Sequence, residues 1–363
     1  MQTKIVKMEE DHIEKQVIAQ AGNILKKGGL VAFPTETVYG LGGDALNQES
    51  SKKIYAAKGR PSDNPLIVHI SRLDALYSIV EEVPEHALRL AEAFWPGPLT
   101  MILRKSSKIP YETTGGLDTV AVRMPQSEIA RAMIEAGGGY VAAPSANISG
   151  KPSPTQAKYV AEDMDGKIEM ILDGGAVCIG LESTIVDLTE EIPIILRPGY
   201  VTKDMLEKVL GNVEMDKTVL SKDSKVRPKA PGMKYRHYAP KGELTIVSGE
   251  PEEVVKAINR LCREKQALGV KTGVIAVEET KRQYNASVVK CAGKRRDEEA
   301  IARSLYTILR EFDDEEVAVM YSESFVGGEM SQAIMNRLLK AAGHRVIDLN
   351  KTNREEDYVS TRM

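Results

Sequence analysis

Short apolar runs, each bounded by helix-like stretches or turns, return so regularly along this chain that they leave little choice of fold class. LVAF (30–33), PLIVHI (65–70), LTMIL (99–103), VAVRMP (120–125), VAAPSA (141–146), IEMIL (168–172), STIVDL (183–188) and PIILRPG (193–199) follow one another. Between several of them apolar positions recur at helical spacing, around 13–27, 49–58, 71–80, 84–94 and 126–136. Strand and helix signals in alternation place helices against a sheet, since each apolar sheet face must be covered. The spacing predicts an N-terminal α/β domain with a twisted mixed sheet.

From about 211 to 241 the periodicity lapses while charge and proline rise, which marks a boundary. Beyond it LTIVSG (244–249), VIAVEE (274–279), SVVKCA (287–292), VAVMYSE (317–323) and RVIDL (345–349) read as strands, and 251–265, 297–311 and 329–342 as helices. That order predicts a smaller C-terminal Rossmann-like α/β domain with an open parallel sheet. The expected plan is a catalytic domain over 1–215, a linker over 216–241, a second domain over 242–350 and a polar tail over 351–363.

A net charge of −3 on 363 residues argues against binding nucleic acid by bulk electrostatics and leaves room only for a local contact. Cys178, Cys262 and Cys291 are far apart and form no CxxC pair, which excludes a disulfide framework or a cysteine zinc site and suits a reducing cytoplasm. No secretory leader or membrane-length apolar run is visible, so a cytoplasmic protein without membrane contact is expected.

Four clusters share one design, an apolar run followed at once by polar, basic or glycine residues: PTETVYGLGG (34–43), KGRPSDNPLIVH (58–69), APSANISGKPSPT (143–155) and GLESTIVDL (180–188). Ligands gather outside strand ends in open α/β sheets, so the clusters predict one common site. Thr35, Glu36 and Thr37 stand between a strand and what reads as a glycine-rich turn. Lys58 and Arg60 are either helix-end charges or a grip on a polyphosphate. The polar groups of Ser145 and Asn147 suit phosphate or ribose oxygens, or a plain turn, and Ser183 carries the same ambiguity. His69 is a structural histidine or a ligand. Arg123 and Arg197, inside apolar strands, need anionic partners if buried. No GxxxxGK[ST] occurs and GLGG lacks dinucleotide spacing, which disfavours a P-loop kinase or an NAD enzyme.

Taken together, FPTETVYGLGGDA, Lys58-x-Arg60, FWPGPLT (94–100), VAVRMP, Ser145-x-Asn147, LESTIVDL and LRPG, in that order, resemble the YrdC/Sua5 family of L-threonylcarbamoyladenylate synthases. PGMKYRHYAP (231–240) and the following domain resemble its longer, two-domain Sua5 branch. The resemblance implies that L-threonine, bicarbonate or CO2, and ATP give threonylcarbamoyl-AMP and pyrophosphate for the t6A modification of tRNA. A downstream protein would transfer the threonylcarbamoyl group, and a weak RNA contact belongs to the same picture.

By that resemblance threonine contacts Thr37, His69, Arg123, Ala143 and Ser183. ATP contacts Arg60, Asn64, Thr119, Ser145, Asn147, Ser153, Arg197 and the linker residue Tyr235. Lys58, Arg60 and Arg123 are the catalytic cations, and Mg²⁺ enters with ATP, held by phosphates and water rather than by a carboxylate cage. Met233, Tyr235, His237 and Tyr238 crowd the linker, as expected if it covers the site. Two alternatives share the domain: a carbamoyl-adenylate-forming enzyme and a double-stranded-RNA-binding module.

Overall fold

The computed structural model describes residues 2–217, 219, 230 and 237–350. These fall into two compact units: one holds 2–149, 153–217, 219 and 230, and the other 150–152 and 237–350. Tyr235 and the tail over 351–363 lie outside the described residues, as does much of the expected linker.

The first unit is built on β1 (Lys4–Lys7), β2 (Val31–Phe33), β3 (Gly40–Asp44), β4 (Ile67–Ile70), β5 (Leu99–Arg104), β6 (Thr119–Arg123), β7 (Tyr140–Ala143), β8 (Met170–Asp173), β9 (Thr184–Asp187), β10 (Ile194–Arg197) and β11 (Glu214–Met215). They form one sheet in the order β1-β8-β2-β3-β7-β4-β6-β5-β9-β10-β11. It is mixed, with β4 parallel to β6 but antiparallel to β7, and β5 parallel to β9 but antiparallel to β6.

Strand side chains alternate between faces, and here the two faces have different uses. Val68, Met101, Leu103, Val120, Val122, Ala142 and Val186 point into the main core, where they meet Ile54, Leu90, Val160 and Leu206 from helices Gln48–Lys58, Glu85–Phe94, Ala157–Met164 and Lys203–Leu210. The intervening positions Ile67, Ile102, Ala121 and Ile185 pack with Leu196 and Ala230.

Two expectations need correction. The glycine-rich stretch is strand β3, antiparallel to β2 and β7, rather than a turn. Glycine is required because its neighbours fill the space of its side chains: a Cβ at Gly40 would lie 2.8 Å from the Phe33 ring, and one at Gly42 2.8 Å from Val141 Cγ1. The stretch 71–80, expected as one helix, is a 3-10 turn (Leu73–Ala75) followed by the short helix Leu76–Ile79.

The second unit contains β12 (Glu243–Ser248), β13 (Thr272–Ala276), β14 (Val288–Cys291), β15 (Val319–Glu323) and β16 (Val346–Asp348), in the order β14-β13-β15-β12-β16. Every pair is parallel. Val254, Val255, Ile258 and Cys262 of helix Pro251–Gln266 bury Val247, Val274, Ala276 and Tyr321. Its crossover runs one way across the sheet, whereas those of helices Glu298–Asp314 and Ser331–Ala341 run the other way. Right-handed connections therefore put those two on the opposite face. No helix among the described residues is long and apolar enough to cross a membrane.

Candidate active site

The site is the face of the large sheet that does not enter the main core. Thr119 and Arg123 share that face of β6 with Ala121, and His69 shares it with Ile67 on β4. Register sets Arg123 beside His69, and Ala143 of β7 beside Ile67. Thr100 of β5 and Ser183, just before β9, stand at the same edge, their hydroxyls 2.7 Å apart.

Arg123 is the centre of this floor. Its Nη1 donates to Thr37 Oγ1 at 2.9 Å, its Nη2 to Glu36 Oε1 at 2.6 Å, and its Nε to Gly97 O at 3.3 Å. Both members of the Arg123–Glu36 ion pair are buried. Glu36 Oε2 also accepts from Gln126 N at 3.1 Å, so the carboxylate is fixed from both sides. The polar stretch thus serves the arginine: Glu36 neutralises it and Thr37 orients it. Thr35 Oγ1 lies 2.9 Å from Thr37 Oγ1 and donates to Val38 O at 2.7 Å, which closes the strand end. On this stretch Thr35 and Glu36 also line a cavity of about 340 Å³, completed by Glu10, Pro34, Gln126, Ser127 and Gly174–Cys178.

His69 is buried, with Nδ1 3.1 Å from Ile67 O; a carbonyl only accepts, so Nδ1 carries the hydrogen. Burial, and then the charge of Arg123, push its pKa down to about 3, which keeps the imidazole neutral. The Phe33 ring meets it edge-on at 5.9 Å.

A second group of residues surrounds the loop after β7. Lys58 is buried, and its ammonium donates to Ser145 O and, at 2.5 Å, to Asn147 O. Ser145 Oγ donates to Asn147 Oδ1 at 2.5 Å. The Lys-x-Arg and Ser-x-Asn pairs are therefore one assembly, in which Lys58 holds the backbone of the other pair. Arg60 donates from Nε to Asn64 O at 3.2 Å and from Nη2 to Pro65 O at 3.0 Å, which fixes the turn into β4. Asn64 is buried, yet its Oδ1 has no hydrogen-bond partner among the described residues. A ligand donor would satisfy that acceptor. At the far edge, Arg197 binds Ser183 through Nε to the carbonyl at 3.0 Å and Nη2 to Oγ at 3.1 Å.

One carboxylate escaped the reading of the sequence as a site partner: Glu182, which accepts from Ser153 Oγ at 2.6 Å. A signal was available, since it sits beside a hydroxyl residue in the strand-end motif LEST, as Glu36 does in PTET. Among the described residues no group of three or more His, Cys, Asp or Glu is placed to hold a metal ion.

A mixed sheet with its polar floor at these strand ends, followed by a separate parallel domain, is the two-domain arrangement of the Sua5 class. Residues 23–199 match the Sua5–YciO–YrdC family, described as "Telomere recombination", and residues 201–343 match the family described as "Threonylcarbamoyl-AMP synthase, C-terminal domain". The chain belongs to the threonylcarbamoyl-AMP synthase family in its two-domain Sua5 form. It is 49% identical to the threonylcarbamoyl-AMP synthase of Bacillus subtilis, with 91% of this chain and 94% of the relative covered. Identity to the enzyme of that name from Pyrococcus abyssi is also 49%, over 93% of this chain and 97% of the relative. The crystal structure of P. abyssi Sua5 complexed with L-threonine superposes with a TM-score of 0.90 at 48% identity, covering 96% of this chain and 100% of that one.

Proposed function

We propose that this chain makes threonylcarbamoyl-AMP and pyrophosphate from L-threonine, bicarbonate or CO2, and ATP, in the cytoplasm, as the first stage of the t6A modification. The observation that carries the reading is Arg123. A guanidinium has five N–H donors, and three are committed to Thr37, Glu36 and Gly97. The two that remain suit the carboxylate of an amino acid, with neutral His69 and the Ser183 hydroxyl on the same floor to receive its polar groups.

The chemistry asks for alignment rather than an enzyme nucleophile. The amine nitrogen of threonine bonds to the carbon of CO2 and gives up a proton to solvent, a carbamate oxygen then attacks the α-phosphorus of ATP, and the bond to the pyrophosphate leaving group breaks. Anions must be brought together and neutralised, a task for preorganised cations. Arg60, Arg123 and Arg197 supply that charge, Lys58 fixes the Ser145–Asn147 loop that faces the nucleotide, and Asn64 offers its unsatisfied acceptor to it. Magnesium arrives with ATP, with phosphates and water as its ligands.

The linker is read as a cover for the site. Ala230 supports this, being buried against Ile67, Ala121, Ile185 and Leu196 on the floor side of the sheet. A mixed carbamic–phosphoric anhydride such as the product is prone to hydrolysis, which a cover opposes until a transfer protein consumes it. The deciding experiment is pyrophosphate release from ATP with threonine and bicarbonate omitted in turn. Release that requires both is expected; release indifferent to either omission refutes the reading.

A further inference from the structure

Two carboxylates hold the turn that leads from β6 into helix Glu128–Ala136, and both come from far along the chain. Glu36 Oε2 takes the Gln126 N–H. On the other side Glu10 Oε1 accepts from Ser127 Oγ at 2.6 Å, and its Oε2 from Glu128 N at 2.7 Å and Ile129 N at 3.2 Å. Ser127 Oγ also accepts from Ala130 N at 3.2 Å, so its one hydrogen is committed to Glu10. The first N–H groups of a helix have no intrahelical partner, and a carboxylate there suits both their hydrogens and the helix dipole.

The segment that carries Glu10 is itself anchored. Strand β1 runs parallel to β8, Met8 N donates to Asp173 O at 2.8 Å, and buried Met8 packs in one cluster with Ile129, Ala130 and Met133. Glu10, Glu36, Gln126 and Ser127 all line the cavity of about 340 Å³. The turn borders there on a cavity rather than on packed side chains, so its direction depends on the hydrogen bonds at its two ends.

We infer that Glu10 is a positioning residue for threonine binding. It fixes Ser127 and the start of the helix, the turn then fixes Gln126 N, and Gln126 holds Glu36 in the direction that aims Arg123. The path is short, since Gln126 and Ser127 are adjacent and Glu36 meets Arg123 directly. Without Glu10 the turn can swing toward the cavity, Glu36 loses its second support, and the guanidinium is less well preorganised for a carboxylate. The inference rests on the reading of Arg123 as the partner of the threonine carboxylate. Residues matching the Sua5–YciO–YrdC family begin at 23, so Glu10 lies ahead of them.

The test is calorimetric titration of the full-length protein with threonine and, separately, with ATP. Glu10 is exposed, so Glu10→Ala should fold, which a thermal melt checks. Threonine should bind this variant about 2- to 30-fold more weakly, the range over which a change along a coupled network acts, with ATP affinity unchanged. Glu10→Gln keeps an oxygen that can accept from Glu128 N and Ile129 N, and should bind threonine within about twofold of the wild type. A role in helix stability alone would lower the melting temperature of Glu10→Ala and leave its threonine affinity at the wild-type value. That result, or an equal loss for ATP and threonine, overturns the inference. A wild type that binds threonine more tightly than Glu10→Ala, yet releases pyrophosphate without bicarbonate, would refute the proposed reaction and leave this inference standing.

Discussion

In the eleven-stranded sheet antiparallel neighbours interrupt the parallel pairs, whereas the five strands of the second sheet all run the same way. That difference decides where a polar molecule can approach. Reversed strands bring the start of one strand beside the end of another, so Thr119, Arg123, His69 and Ala143 can share one face. A wholly parallel sheet has helices on both faces, and only its carboxyl edge is left. The first unit therefore sets arginine, histidine and hydroxyl groups across a floor, while the second gathers Glu323, Thr280 and Arg295 at a strand end.

The contrast can be broken most severely at Arg123. Arg123→Ala should lower turnover by about 10²–10³, as removal of a preorganised anion-binding donor does. It should also cost about 3–5 kcal/mol of stability, because Glu36 is left buried and unpaired. Adding Glu36→Gln should restore most of the stability in thermal melts and none of the turnover. Recovery of both would make the pair merely structural.

Ile275→Ala probes the other sheet, on a side chain fully buried in β13. A loss of about 2–5 kcal/mol in denaturant titration is expected, with threonine and ATP affinities of the first unit unchanged in the folded protein. Weaker threonine binding under folded conditions would show that the two sheets do not divide the work.

Substrate choice gives a smaller effect. Serine differs from threonine by one methyl group, which an apolar wall can recognise by only about 1–3 kcal/mol. Competition at limiting concentrations should show serine as a weak substrate, and equal kcat/KM for both would remove the wall from the floor.

Per pH unit, the gentlest effect is a stability slope from His69. Its folded pKa of about 3 lies below the unfolded 6.5. The unfolded chain therefore binds the extra proton first, and the stability present above 6.5 is lost as pH falls toward 3. In that range the wild type should lose roughly 1.4 kcal/mol per pH unit more than His69→Asn. Parallel acid limbs in the two proteins would place His69 in a wet, easily protonated position.

The strands were legible wherever β-branched and aliphatic residues made a run, as in IVHI, VAVR and TIVD. β3 was not, because its packing is supplied by its neighbours: glycine carries no apolar signal, and only the Phe33 ring and Val141 reveal why it is needed. The helices Ala157–Met164 and Lys203–Leu210 also went unread. At the site, the need of Arg123 for an anion could be argued from its place in an apolar strand. The identity of that anion could not, since Glu36 lies 87 residues away and meets it only through the order of the sheet. Lys58 was legible as a cation but not as the residue that ties Ser145 and Asn147 in place, which depends on two carbonyl directions that no sequence pattern encodes.

The Thr35 hydroxyl ties the chain to itself. Its one hydrogen goes to Val38 O, which can only receive it, while its oxygen accepts from the backbone N–H of Thr37 at 3.1 Å and of Val38 at 3.2 Å. Thr37 is thus held by its own backbone, and its Oγ1, 2.9 Å from the Thr35 hydroxyl, receives a hydrogen from Arg123. The direction of the guanidinium is set by a loop that closes on itself, so a change at Thr35 reaches Arg123 by way of Thr37.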